Sequence, residues 1–371
     1  MGLNKINRCV LCVVLVICVR IAALANDTVA VRDSAWYHEK WYNQLFQNGF
    51  KIHEPGINYP KFPRFCLNVY DWGNRTFNTY DTRYVVGTGK NWKVMGRSYN
   101  WGDSYALFFD KDSYLRMQSG MYSDVGVYLC FMAVSVGYAW NVNKMFQHTD
   151  DSRKTFDFNF CCALFSADLN MVSSKGGTKI RHFGDYDGGK TISYNFNDIS
   201  FESISGDIYY FFNHSRYSQA AAYSYSKYQL RSAGSWIVGL GMAYRNIDMD
   251  FSSLPPDMLE ALPNLKKQYM FRYTDYEILG GYAYNWVFRP KWLFNVTTLP
   301  SIGYKHSYEN ATDGRKDLFA TNLKLRFSLT YNHKALFVGM LGRMDGHFYL
   351  TNGYSFFNAV ETLSLNVGAR F

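Results

Sequence analysis

Residues 322–331 read Asn-Leu-Lys-Leu-Arg-Phe-Ser-Leu-Thr-Tyr. Leu323, Leu325, Phe327, Leu329 and Tyr331 alternate with Asn322, Lys324, Arg326, Ser328 and Thr330. Successive side chains of a strand leave on opposite faces, so this segment has one oily and one polar face. The pattern continues downstream. Leu336, Val338, Met340, Met344 and Phe348 oppose Arg343, Asp345 and His347. Leu363, Leu365, Val367, Ala369 and Phe371 oppose Thr362, Ser364, Asn366, Gly368 and Arg370.

A soluble β-sandwich would also alternate, but three features favour a membrane barrel. Alternating segments often run to roughly 11–17 residues, well past the ~5–6 of soluble strands and enough for the ~9–11 that cross a bilayer at a tilt. Aromatics mark segment ends: Trp236, Trp286 and Trp292 near short turns, and Tyr138 with Trp140 at another end. Girdles at the two membrane interfaces explain that placement. The chain also closes on Phe371 with an apolar residue at every second position before it, like the strand that addresses outer-membrane barrels to their assembly machinery.

Working backwards, Tyr282, Tyr284 and Trp286 share one face, as do Trp236, Val238, Leu240, Met242 and Tyr244. Tyr128, Met132, Val134, Val136, Tyr138 and Trp140 form another, and Phe156, Phe158 and Phe160 a fourth. The phase flips near Ala163, which calls for a bulge or a tight turn. Placing Phe371 in the periplasm puts turns at Asn332-His333-Lys334, Arg289-Pro290 and Ser232-Ala233-Gly234 on that side, and the longer loops 251–267 and 306–315 outside. Residues 172–199 then become either a long periplasmic loop or a further hairpin turning at 184–189. The expectation is an all-β, transmembrane, antiparallel up-and-down barrel of about 12–14 strands over residues 92–371.

Composition agrees. The 371 residues are 19% aromatic and 19% charged, with 29 Gly and 8 Pro, which excludes disorder. A mean hydropathy of −0.25 excludes a bundle of membrane helices. The net charge of +9 comes without a basic block, so no nucleic-acid partner is expected.

Residues 1–25 carry Lys5 and Arg8, an apolar run over 10–19, and Ala23-Leu24-Ala25. This pattern predicts a secretory signal cleaved before Asn26. The run is too short for a bilayer span, and Ile17 before Cys18 is too bulky for a lipoprotein site. Four cysteines then remain, Cys66, Cys130, Cys161 and Cys162. They show neither a CxxC pair nor a disulfide framework, so no metal site or cofactor is expected. Residues 26–91 lack the alternation. Asp33 can cap a short helix bearing Trp36, Trp41 and Leu45, and Pro55, Pro60 and Pro63 break regular structure. This segment is expected in the periplasm or against the barrel's lower mouth.

Asn78-Thr79-Tyr80-Asp81, then Tyr84-Val85-Val86-Gly87-Thr88-Gly89-Lys90-Asn91-Trp92-Lys93, Arg97-Ser98-Tyr99-Asn100 and Arg231-Ser232-Ala233-Gly234-Ser235 form a set. Together they resemble a domain-of-unknown-function family of Bacteroidetes (DUF4421), over roughly residues 33–371. The resemblance implies an outer-membrane barrel and supplies no catalytic residues.

Candidate chemistry is sparse. Gly87-Thr88-Gly89-Lys90 lacks the GxxxxGK[ST] spacing and following helix of a phosphate loop, so a glycine turn feeding the first strand is the better reading. His148, Asp150 and Asp151 in an outer loop, His182 with Asp185 and Asp187, and His347 with Asp345 could orient a catalytic water, yet no serine can be assigned to them. The set expected to face the lumen is Lys324, Arg326, Arg343, Arg370, Asp275, Glu277 and Asp345. Such charges either select a small solute or pair with one another inside a filled barrel. The leading expectation is therefore a structural or solute-handling barrel in contact with outer-membrane lipid. An enzyme acting on lipid or peptide at the rim, and a surface adhesion or assembly partner, are the alternatives.

Overall fold

The computed structural model describes residues 34–49, 51–110, 113–131, 134–142 and 152–371. The expected signal segment and the loop residues His148, Asp150 and Asp151 lie outside the described residues. The strands are β1 Val85–Gly87, β2 Trp92–Phe108, β3 Tyr114–Ser119, β4 Tyr122–Phe131, β5 Val134–Asn141, β6 Ser152–Cys161, β7 Phe165–Lys175, β8 Thr178–Phe183 and β9 Tyr194–Phe196. They continue with β10 Ile199–Phe211, β11 Lys227–Gln229, β12 Ala233–Asp250, β13 Gln268–Arg289, β14 Trp292–Ser307, β15 Lys316–His333, β16 Leu336–Leu350 and β17 Ser355–Arg370.

Twelve of these form one curled antiparallel wall in the order β5-β4-β2-β17-β16-β15-β14-β13-β12-β10-β7-β6. The last strand pairs with the first long one from Ser355↔Phe108 to Arg370↔Lys93. Phe371 extends this seam, exchanging backbone hydrogen bonds with Trp92 at 2.9 and 3.2 Å. No helix among the described residues is long and apolar enough to cross a membrane.

The alternation maps onto the two faces of the wall. Trp236, Leu240 and Met242 of β12, Ile204 and Ile208 of β10, and Ile278 and Trp286 of β13 are exposed on the outside. Lys324, Arg326, Ser328 and Thr330 of β15 are buried inside. Two aromatic rings bound the apolar belt. One holds Trp236, Tyr282, Tyr284 and Trp286; the other Tyr276, Tyr304 and Phe319, which are register partners. From Tyr276 to Trp286 a strand tilted at about 40° rises roughly 25 Å, the height of an outer-membrane apolar band.

Beyond Tyr276 the pattern inverts on the same strands. Tyr269, Phe271 and Tyr273 turn inward and are buried, while Gln268 and Arg272 face out. On β12, Ile247 and Met249 face in, and Asn246 and Asp248 face out. The wall therefore stands above the membrane as a collar with water outside and an apolar core within.

Two expectations about connections are corrected. Of the two readings of the flip near Ala163 the tight turn holds, joining β6 to β7 and closed by Cys162 N–H on Phe165 O at 3.0 Å; what it corrects is the side assigned to the next connection. That extra reversal moves residues 172–199 to the outer side. The further hairpin exists as β8 and β9, but it pairs with β3, which continues from the upper half of β2. It adds a leaf to the collar and no strand to the twelve-stranded wall. Second, Ser232-Ala233-Gly234 is not a turn, because Ala233 and Gly234 already pair within β12. The lower connection spans residues 212–232 and carries a short helix, Gln219–Tyr223, together with β11.

Candidate functional site: a filled lumen

Some inward residues meet across the barrel, and others pair along a strand or with the strand beside it. Arg326 Nη1 on β15 lies 2.7 Å from Asp168 Oδ2 on β7, and its Nη2 donates to Tyr209 Oη at 3.0 Å. Lys324 pairs with Asp207 of β10, whose other oxygen accepts from Tyr209 at 2.8 Å. Lys305 Nζ on β14 sits 2.6 Å from Asp275 Oδ1 and 3.7 Å above the Tyr273 ring. Asp275 Oδ2 is shared by His347 Nδ1 at 3.1 Å and Asn322 Nδ2 at 3.2 Å. Glu277 accepts from Ser301, and Arg343 pairs with Asp345. Buried ions in a low-dielectric interior survive only as such matched pairs.

Among the described residues, packed side chains fill both ends of the barrel. At the outer end Phe271 stacks on Phe356 at 4.0 Å, and Phe196 on Phe251 at 4.9 Å. Leu254, Met258 and Leu262, from the 251–267 loop, are buried in the same core, so this loop folds inward as a cap. At the lower end the 212–232 connection enters the barrel. Ala220, Ala221 and Ala222 are 0–2% exposed, and this small-residue turn lets the backbone approach the wall. Thr330 donates to Ala222 O at 3.2 Å, Asn285 to Ser218 O at 2.9 Å, and Tyr223 to Asn295 at 2.6 Å. Tyr225 stacks on Phe337 at 4.6 Å, in space that Gly339 leaves open.

Arg370 belongs to this plug: its Nε donates to Tyr225 O at 2.6 Å, and its guanidinium lies 4.7 Å over Phe337. A void of about 10 Å³ beside Tyr99, Arg343 and Asp345 has room for one water.

The stretch 78–87 latches the plug from below. β1 pairs with β11, Asp81 N–H donates to Ser215 O at 2.8 Å, and Leu230 N–H to Tyr84 O at 2.7 Å. Arg216 and Arg231 lie 5.2 and 5.8 Å over the Tyr84 ring. Two hydrogen bonds from Arg83 hold the Asp81 carboxyl down at about 2, so it stays charged at ordinary pH. Gly87 ends β1, and Thr88 Oγ1 donates to the Lys90 and Ser226 carbonyls at 3.3 Å; β2 follows instead of a helix. This is a turn, not a phosphate cradle.

The structure brings Glu277, Lys324, Arg326, Arg343 and Asp345 into one network and places Arg370 apart, in the plug. Inspection of the sequence missed Asp168, Asp207, Lys305 and Arg245, whose strands carry serines and glycines among the inward residues. It also gave no sign that Asp275, Glu277 and His347 converge within 4.8 Å, since two come from β13 and one from β16. Lys305 already occupies one Asp275 oxygen there. His182 stacks on Tyr114 at 3.9 Å, and His306 pairs with Asp317 at 2.9 Å on the outer face. Among the described residues, neither the His347–Asp275 nor the His306–Asp317 pair hydrogen-bonds to a serine, threonine or cysteine.

An apolar belt between aromatic rings, a polar interior and antiparallel neighbours in sequence order define a β-barrel of the outer-membrane type. The chain belongs to the family described as Domain of unknown function (DUF4421), whose model matches residues 79–371. That match starts at Thr79, so the helical segment before it lies outside. No curated protein matches the chain. Among solved structures it is similar to the outer membrane protease OmpT from Escherichia coli, with 8% identity, a TM-score of 0.33, and coverage of 76% of this chain and 97% of that one. The translocator domain of the autotransporter NalP from Neisseria meningitidis gives 9%, 0.30, 84% and 96%. Neisserial surface protein A gives 6%, 0.24, 77% and 99%.

Proposed function

We propose that this protein is a sealed, non-conducting barrel of the outer membrane, with a structural role exerted through its collar and its lower end. The observation that carries this reading is the set of buried pairs spanning the lumen, above all Arg326–Asp168 and Lys324–Asp207, enclosed between an aromatic cap and a latched plug. A solute path would have to break several buried ion pairs at once. In this reading the signal at residues 1–25 exports the chain, and the strand ending in Phe371 is read by the barrel-assembly machinery.

The test is reconstitution of the full chain in planar bilayers. No conductance steps are expected, while the same preparation should fractionate with outer-membrane porins and shift mobility on heating. Steady conductance by the intact protein would overturn the sealed reading; recovery as a soluble periplasmic protein would overturn the membrane reading.

A further inference from the structure

The helix Lys61–Phe77 buries none of its residues. Phe62, Phe65, Val69 and Trp72 are 75, 63, 48 and 58% exposed. Their spacing of three, four and three places them in one stripe along the helix. Lys61, Arg64, Asn68, Asp71 and Arg75 form the neighbouring polar stripe. The chain before the helix has its own small core of Trp36, Leu45 and Ile52. It touches the polar stripe, through Arg64–Asn58 at 3.3 Å and His53–Asp71 at 3.4 Å. The apolar stripe is left open. Exposing four large side chains to water forgoes most of their transfer free energy, so a soluble helix would turn this stripe toward a core.

The end of the helix is fastened to the lipid-facing wall at its lower rim. Phe77 O accepts from Ala163 and Leu164 N–H at 3.1 and 3.3 Å, and Asn78 Oδ1 accepts from Ala163 N–H at 2.8 Å. Ring contacts continue the helix stripe onto the barrel: Trp72 to Phe77 at 5.5 Å, Phe77 to Phe165 at 5.6 Å, Phe165 to Phe160 at 5.6 Å. Beyond Phe160 on the same face of β6 stand Phe158 and Phe156, 47 and 53% exposed.

We infer that this helix is an interfacial membrane anchor, lying in the periplasmic leaflet with Phe62, Phe65, Val69 and Trp72 among the acyl chains. The inference rests on the membrane reading of the barrel, whose apolar belt the stripe continues. Lys61, Arg64 and Arg75 beside the stripe suit the phosphates of that leaflet, as in interfacial helices generally. The helix would thereby hold the 34–60 segment against the membrane beside the lower plug.

The test places a benzophenone amino acid at Phe65, or at Asn74 on the far side of the helix, in the full-length protein in cells. After irradiation, adducts are read by intact mass, and heat-dependent mobility is recorded on the same samples. At Phe65 the expected product is a phospholipid adduct, at least fivefold more abundant than at Asn74. A discrete protein adduct or a self-crosslinked dimer at Phe65 would overturn the lipid assignment. Equal lipid labelling at both positions would show that the helix has no membrane-facing side. If Phe65 fails while the barrel keeps its heat-dependent mobility, the anchor alone is refuted; loss of that mobility refutes the membrane reading beneath it. A second variant, Phe65→Asp with Val69→Asp, should raise protease cleavage within 61–77 several-fold in vesicles and leave the barrel band intact. Unchanged cleavage would also overturn the proposal.

Discussion

Cutting one side of the Arg326–Asp168 pair should cost far more than cutting both. The two residues are 8 and 6% exposed and stand on strands five positions apart in the wall, so their 2.7 Å contact bridges the lumen. Asp168→Asn leaves the guanidinium buried, with Tyr209 at 3.0 Å as its hydrogen-bond partner. Removing one member of such a pair typically costs about 3–5 kcal/mol, because the remaining charge keeps its desolvation penalty and loses its counter-ion. Arg326→Met alone leaves the carboxylate with Asn159 as its hydrogen-bond partner but without this counter-ion, and should cost a similar amount. The double variant removes both penalties and keeps most of the volume, so it should lie within about 1–2 kcal/mol of the parent. The assay is urea unfolding in lipid vesicles, with folded fraction read from the heat-dependent gel shift. The coupling expected from this cycle is several kcal/mol. Additive losses would refute the bridge: the two charges would then act independently, each satisfied by water, and the lumen would not be dry at this level.

Leu325→Arg, facing lipid next to Arg326, should destabilise the barrel by about 2–4 kcal/mol in the same vesicles, since a one-residue slip would expose the whole polar face to lipid; tolerance there would invert the inside–outside assignment. Gly339→Val puts a branched side chain where the Tyr225 phenol sits and should cost about 1–3 kcal/mol. The same variant should give brief conductance steps if the plug is displaced, and silence combined with full stability would argue against Tyr225 packing at Gly339. Deleting Phe371 removes its two backbone hydrogen bonds to Trp92 at the β17–β2 seam and should lower folded protein in the membrane while raising periplasmic degradation; pulse-labelled fractionation reads this, and normal assembly would count against the terminal signal.

The faces of the strands were legible because period-two alternation is a local property. Lys324 and Leu325 differ in burial for no reason beyond their position in the pleat, and a reader of residues 322–331 sees both. Trp236 and Trp286 of the lower aromatic ring were legible from their places near short turns, whereas Tyr276, Tyr304 and Phe319 of the upper one were not picked out. The inversion above Tyr276 was present in the order of Gln268 to Tyr273 but reads as a break in the pattern unless the wall is known to continue past the membrane. The hairpin at 178–196 was visible as a hairpin. Its place was not, since the flip near Ala163 left a bulge and a tight turn both open, and the turn alone changes the side of the membrane for everything between it and the next long strand.

The sequence by itself determined a β-wall with an oily outer belt, its twelve long strands to within one hairpin, and a set of charges turned away from lipid. Which charge meets which was decided only by the curl of the wall. Arg326 and Asp168 lie 158 positions apart, and nothing local to either specifies the other; curvature and strand order bring them across the lumen. The same holds for the plug. The sequence pointed to a short turn at Ser232-Ala233-Gly234, whereas residues 212–232 form the connection and enter the barrel because Ala220–Ala222 and Gly339 leave room there and because the 78–87 stretch holds them from below. Hydrophobic pattern acts at the range of one or two residues, whereas charge pairing and plugging depend on distances that exist only once the wall has curled.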